Sequence, residues 1–265
     1  MAGRDIDIAV FGATGFVGRL VARYLVEHAP DGVRVALAGR TPSKLEALRS
    51  GLPPAAHDWP LVVADSTDAA SLTRLAEASK VVLTTVGPYA MAGLPLVEAC
   101  TKAGTHYADL TGEITFMRAV IDECDKPARA SGARIVPACG VDSIPSDIGV
   151  FELAQRVAAD GEGTLTDTSA VVAASRGWFG GGTVESALGQ MRAGRTDPAV
   201  RGLLADPYSL SPDRDAEPDY GREAELARVV HDDLAGQYVG PFMMASINTF
   251  SKTTARGRVF SAGRK

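Results

Sequence analysis

Three glycines near the N-terminus have the spacing of a phosphate cradle. Gly12, Gly15 and Gly18 lie in the run Gly12-Ala13-Thr14-Gly15-Phe16-Val17-Gly18, a GxxGxxG pattern. Gly12 would allow a tight exit from a strand, where a Cβ clashes. Gly15 would let the backbone approach a pyrophosphate, and Gly18 would let a helix pack closely on a sheet. The pattern carries weight only between a strand and a helix. Ile6–Phe11 before it is an apolar run of strand length, and Arg19–Glu27 after it sets Leu20, Val21, Tyr24 and Leu25 at helical spacing. A helix N-terminus so placed offers unpaired N–H groups and a partial positive charge to an anion. Dinucleotide binding is the expectation, with Gly12, Thr14, Gly15, Phe16 and Val17 as contacts.

The next positions bear on which dinucleotide. The second strand reads Val33–Arg40, and where NAD-binding sheets usually end this strand in Asp or Glu, Arg40 stands, followed by Thr41, Ser43 and Lys44. A guanidinium can grip a 2′-phosphate that a carboxylate would repel, and Lys44 adds a point charge. The expected cofactor is therefore NADP(H), held by Arg40, Ser43 and Lys44; the plainer alternative is a surface arginine before a solvated helix. Asp65 ends the third strand, Leu61–Asp65, and is a candidate for the adenine edge. The neighbouring Ser66-Thr67-Asp68 suits the start of a helix over Ala69–Ala78. The fourth strand, Val81–Val86, runs into Gly87-Pro88-Tyr89. Val86, Gly87 and Pro88 are expected against the nicotinamide ribose. Tyr89 either lines the nicotinamide pocket or packs on the following helix.

No catalytic residue is assigned by pattern. Reduction of C=C or C=O with a nicotinamide needs a proton donor nearby. Tyr89, Tyr107, Asp109 and Glu113 are candidates because they fall near predicted strand ends, each with a structural role as its alternative. No HExxH, nucleophile elbow or Cys/His cluster suggests a metal or a covalent intermediate.

These residues need a scaffold, and the chain supplies its pattern. Four further elements follow the fourth strand: a helix over Met91–Lys102 closed by Gly104, a strand over Thr105–Leu110, a helix over Phe116–Ala130 and a strand over Ala133–Gly140. Strands alternating with helices imply an α/β fold whose N-terminal Rossmann domain, residues 1–145, is a doubly wound parallel sheet.

Taken together the motifs resemble the saccharopine dehydrogenase-like oxidoreductase family. The matching segments are Gly12–Leu25, Ala38–Leu48, Thr84–Cys100, Tyr107–Glu113 and Cys139–Gly149. Within that family the pattern is most similar to the mycobacterial trans-acting enoyl reductases. The resemblance implies NADPH-dependent hydride transfer to a lipid-like or polyketide-derived substrate. A saccharopine-type amino-acid substrate would call for clustered Arg and Lys to hold several carboxylates. Residues 150–240 show no such cluster in sequence.

The rest of the 265 residues is less legible. A dinucleotide-binding domain of ~130–150 residues leaves about 120. Residues 146–249 read as part of an α+β substrate or dimerisation domain: a helix over Asp147–Ala158 capped by Ser146, a strand over Thr168–Ser175, a glycine loop Gly177–Thr183 and a helix over Val184–Arg192 capped by Thr183. Asp206–Asp233 carries nine Asp or Glu against three Arg and reads as a surface segment. Pro241–Thr249 reads as core or substrate lining, and residues 250–265 as a divergent basic tail, with the substrate domain cut short near Thr249. Such a fragment would expose apolar surface or form a homodimer to cover it, and a non-catalytic NADP(H)-binding protein is the alternative to an enzyme.

Composition sets the outer bounds. The chain is 46% hydrophobic and 22% charged, with 42 alanines and 28 glycines but no repeat that accounts for them. That is globular composition, neither disordered nor polytopic. A net charge of −5 argues against nucleic acid as a partner. Three cysteines without a CxxC pair, no leader-like apolar run and no transmembrane segment suggest a cytoplasmic protein, with peripheral contact at the inner face of the plasma membrane left open.

Overall fold

The structure is a computed structural model. It describes residues 3–163, 167–172, 180–206, 208–211, 229–233, 236–241 and 256–262. The chain divides into two units: Met1–Cys139 with Glu185–Ala187, and Gly140–Val184 with Leu188–Lys265.

The first unit alternates strand and helix. β1 (Ile6–Phe11), α1 (Phe16–His28), β2 (Val35–Gly39), α2 (Pro42–Gly51), β3 (Leu61–Val63) and α3 (Ala69–Ala78) are followed by β4 (Ser79–Thr84), α4 (Tyr89–Ala92), α5 (Leu94–Ala103), β5 (His106–Ala108), α6 (Ile114–Ser131) and β6 (Ile135–Val136). The six strands form one sheet in the order β3-β2-β1-β4-β5-β6, every neighbouring pair parallel. This is the doubly wound sheet expected from the sequence, and its strand order reverses between β1 and β4.

Strand alternation explains the two cores. In β2, Ala36 and Ala38 enter a cluster with Leu72, Leu75, Leu96, Val97 and Phe116, from α3, α5 and α6. Val35 and Leu37 point the other way, into a cluster with Ala22, Leu45 and Leu52, on the side of α1 and α2. Each face is sealed by helices, so β2 is buried at all five positions. Part of the alanine supply is accounted for here: Ala9, Ala36 and Ala38 are fully buried on the sheet, where a small side chain lets a helix lie close.

Several boundaries differ from the sequence reading, each for a physical reason. The helix expected over Met91–Lys102 is two helices meeting at Gly93. Pro95 sits at the start of α5, where it has no N–H to continue the preceding turn. A Cβ on Gly93 would lie 2.6 Å from Cε2 of Phe116 and 2.8 Å from the Tyr89 carbonyl oxygen. β6 has two residues rather than eight, because Pro137 cannot donate to a ladder and Ala138 adopts a positive φ of 58°.

The second unit contains α7 (Ile144–Asp160), β7 (Asp167–Val172), most of α8 (Gly181–Thr196), α9 (Pro198–Ala205), β8 (Val230–Asp232), β9 (Gln237–Pro241) and β10 (Arg256–Ala262). Its sheet runs β7-β10-β9-β8. β10 is parallel to β7 and antiparallel to β9. Two expected caps move. Ser143, not Ser146, precedes α7, which accommodates Pro145 in its first turn, and Gly180, not Thr183, precedes α8. Residues 256–262, read as part of a tail, form an inner strand; Val259 and Phe260 are strand-forming residue types. Residues 173–179 of the strand and glycine loop, 207 and 212–228 of the acidic segment, 242–249 of the apolar stretch, and 250–255 and 263–265 lie outside the described residues.

Candidate functional site

The strand order brings the ends of β1 and β4 side by side. The Thr85 N–H donates to the Phe11 carbonyl at 3.0 Å, and Thr85 Oγ1 donates to the Gly12 carbonyl at 3.2 Å. The glycine turn and the segment after β4 are thus bonded neighbours, although 73 residues separate them in sequence. Open parallel sheets bind ligands outside such a reversal point.

The turn has little room for side chains. Gly12 has a φ of +84°, and a Cβ there would lie 2.8 Å from both Thr85 Oγ1 and Val86 Cγ2. A Cβ on Gly15 would lie 3.3 Å from the Gly12 carbonyl oxygen. One on Gly18 would overlap that oxygen and lie 2.8 Å from Ala13 Cα. The Gly12 N–H donates to the Ala38 carbonyl and the Gly15 N–H to the Gly12 carbonyl, both at 3.0 Å. The first intrahelical bond of α1 runs from the Arg19 N–H to the Gly15 carbonyl, and no side chain caps this end. The Phe16, Val17 and Gly18 N–H groups therefore precede the helical ladder. Phe16 and Val17 are exposed.

Arg40 follows β2 directly and is exposed, as are Ser43 and Lys44 in the first turn of α2. Asp65 follows β3 and feels the Arg40 charge. The Thr67 N–H and hydroxyl donate to Asp65 Oδ1 at 2.9 and 2.8 Å. Those bonds, ahead of the Arg40 charge, hold the Asp65 carboxyl below the usual carboxylate range. The Asp65 N–H donates to Ser71 Oγ at 3.0 Å. Helix capping falls to Asp68, which accepts from the Ala70 N–H at 3.0 Å.

The four proton-donor candidates lie in one buried polar network. Tyr89 is 5% exposed, its hydroxyl donates to the Thr84 carbonyl at 3.2 Å, and its ring packs at 5.6 Å from that of Phe116. Burial pushes its ionisation well above the usual phenol range. The Tyr107 hydroxyl donates to Asp109 Oδ2 at 2.7 Å. Asp109 Oδ1 accepts from the N–H groups of Thr111 and Ala138, both at 2.9 Å. Burial raises the Asp109 carboxyl above its ordinary value despite these bonds. Glu113 is 2% exposed. It accepts from the Tyr89 N–H at 2.8 Å on Oε1 and from the Ala90 N–H at 2.9 Å on Oε2. Ser186, assigned to the same unit, donates to Glu113 Oε1 at 2.6 Å.

Sequence reading missed Thr84, Thr85 and Ser71. Thr84 Oγ1 accepts from the Val86 N–H at 3.2 Å, so the two threonines that end an apolar strand tie the segment after β4 to itself and to the glycine turn. Two adjacent hydroxyls at the end of a buried strand were the available signal. Ser71, one turn into α3, gave none.

Comparison with known proteins adds to this geometry. Residues 8–136 match the model of the saccharopine dehydrogenase NADP binding domain. A trans-acting enoyl reductase of Mycobacterium ulcerans is 44% identical over 285 residues, covering 98% of this chain and 68% of that protein. The chain belongs to this family. A trans-acting enoyl reductase of Mycobacterium tuberculosis is 47% identical over 253 residues, 94% of this chain and 60% of that protein. A further Mycobacterium tuberculosis relative is 48% identical over 250 residues, 93% and 59%. The chain thus spans between 59% and 68% of the length of these relatives. Its first unit is the family's NADP-binding domain, and the cofactor is NADP(H). Among the described residues, no helix is long and apolar enough to cross a membrane, and no group of three or more His, Cys, Asp or Glu is placed to hold a metal.

Proposed function

We propose that the protein is an NADPH-dependent enoyl reductase acting on a lipid- or polyketide-type intermediate. The observation that carries the reading is the bonded junction of the glycine turn with the segment after β4, at the reversal of strand order. The three glycines let the turn close tightly on itself and on the segment after β4, and the uncapped N–H groups at the start of α1 fit a pyrophosphate lying on the backbone. On this reading Gly12, Thr14, Gly15, Phe16 and Val17 hold the pyrophosphate, and Arg40, Ser43 and Lys44 take the 2′-phosphate. Asp65 stands beside the adenine, and Val86, Gly87 and Pro88 beside the nicotinamide ribose. Bound there, NADPH supplies a hydride for a polarised double bond.

The 44–48% identical relatives named trans-acting enoyl reductase support the choice of an enoyl substrate over an amino-acid conjugate. One observation favours a second reading, an NADP(H)-binding protein without activity of its own. The hydroxyl protons of Tyr89 and Tyr107 are committed to Thr84 and Asp109, and Glu113 accepts from three donors. None of these groups is presented as a free acid. NADPH oxidation should be followed with α,β-unsaturated thioesters, long-chain ketones and an amino-acid conjugate in parallel. Turnover with the thioester alone supports the enoyl reading. Turnover with the conjugate alone overturns it. NADPH binding with no turnover on any of them supports the second reading.

A further inference from the structure

Hydrogen bonds hold the segment between β4 and α4 at both of its ends. Thr85 bonds to β1 and the glycine turn, Thr84 Oγ1 holds the Val86 N–H, and the Tyr89 hydroxyl returns to the Thr84 carbonyl. The far end is held by a side chain from 23 and 24 residues downstream. Glu113 places one carboxylate oxygen on each of the adjacent Tyr89 and Ala90 N–H groups, at 2.8 and 2.9 Å. Glu113 itself is fixed, since its N–H donates to Thr111 Oγ1 at 3.1 Å and the Thr111 N–H donates to Asp109. The intervening residues Val86, Gly87 and Pro88 have no regular structure of their own. Gly87 is exposed, and Val86 and Pro88 are partly exposed.

A buried carboxylate on two consecutive backbone N–H groups is a rigid two-point clamp. It does not touch the segment's exposed face. It sets where that face stands by fixing the residues that follow it.

We propose that Glu113 is a positioning residue: through the Tyr89 and Ala90 N–H groups it fixes Val86–Pro88 as the rest for the nicotinamide end of NADP(H). The proposal relies on the cofactor placement given under Proposed function. It also gives a buried carboxylate a task other than proton transfer. Glu113→Gln keeps the shape but replaces one acceptor oxygen with an NH2 that faces an N–H donor, so one clamp bond is lost and the loop relaxes. The adenine half of the site, built on Gly12–Val17, Arg40 and Lys44, does not depend on this clamp.

Two ligands separate these effects. NADPH contacts both halves of the site, whereas 2′,5′-ADP reaches only the adenine half. Binding of both should be measured by calorimetry on the full chain, for the wild type, Glu113→Gln and Tyr89→Phe. The last removes the hydroxyl tie to Thr84 and keeps a testable variant in hand if Glu113→Gln does not fold. Glu113→Gln should weaken NADPH about tenfold and leave 2′,5′-ADP within about twofold, with Tyr89→Phe showing the same split more weakly. The emission of bound NADPH should shift toward that of free NADPH in both variants, a signature of a looser nicotinamide environment. If both ligands weaken equally, or neither does, Glu113 serves the fold alone and the proposal fails while the cofactor placement stands. If the wild type binds 2′,5′-ADP but NADPH no more tightly, the nicotinamide placement and the proposal fail together.

Discussion

Gly18 is the residue at which the turn is least forgiving. An added methyl would overlap the Gly12 carbonyl oxygen, which is backbone and cannot rotate away. Gly18→Ala should cost about 1–3 kcal/mol of stability, read as a lowered thermal midpoint, and should weaken NADPH as well. A variant as stable as the parent would contradict the close packing of α1 on the turn. Asp109 makes a different kind of prediction. Burial raises its folded-state pKa above the unfolded value, so the folded protein holds a proton that the unfolded chain releases. Stability therefore falls as pH rises from the ordinary carboxylate value through the raised one. Asp109→Asn removes that dependence, so the variant should gain on the parent as pH rises through this window in denaturant titrations. A difference between the two that does not change with pH would sink the assignment. At this scale the sequence was informative where one atom type matters: glycines need absent Cβ atoms, and Arg40 stands in an acid's place. It was silent about which of Tyr89, Tyr107, Asp109 and Glu113 bond to one another, because those pairs are made by strand register and loop course.

Helices and strands were legible in kind and less so in their limits. The apolar runs at Ile6–Phe11 and Val81–Val86 announce buried parallel strands; the first forms as read, and the second forms two residues earlier at each end, as Ser79–Thr84. The break at Gly93 was hidden because its causes lie on two elements. Pro95 interrupts the ladder from within, and Phe116 of α6 covers Gly93 from outside. Gly93→Ala should destabilise the protein by about 1–3 kcal/mol. Adding Phe116→Leu should recover only part of that loss in thermal denaturation, since the Tyr89 carbonyl still lies 2.8 Å from the new methyl. Full recovery would mean that the ring alone enforces the break. The strand expected over Ala133–Gly140 is short for a related reason: only Ile135–Val136 forms β6, and Pro137 ends its ladder.

The two units differ in how much of them the sequence could specify. The first is assembled from local strand–helix repeats, so short-range pattern nearly suffices. In the second, β10 joins β7 from about 90 residues away, and no short-range pattern announces such a partner. If the cofactor belongs to the first unit, NADPH should slow amide exchange at Gly12–Gly18 and Thr84–Ala90 and raise the thermal midpoint, with linkage worth about 2.7 kcal/mol at a hundred times Kd. The most direct test is a calorimetric titration of NADPH and NADH against the wild type and Arg40→Ala. The wild type should prefer NADPH, and Arg40→Ala should lose about ten- to a hundredfold for NADPH and no more than about twofold for NADH, as expected from removing a charge-assisted grip on one phosphate. Equal losses for the two cofactors, or no preference in the wild type, would contradict the placement of the 2′-phosphate on Arg40.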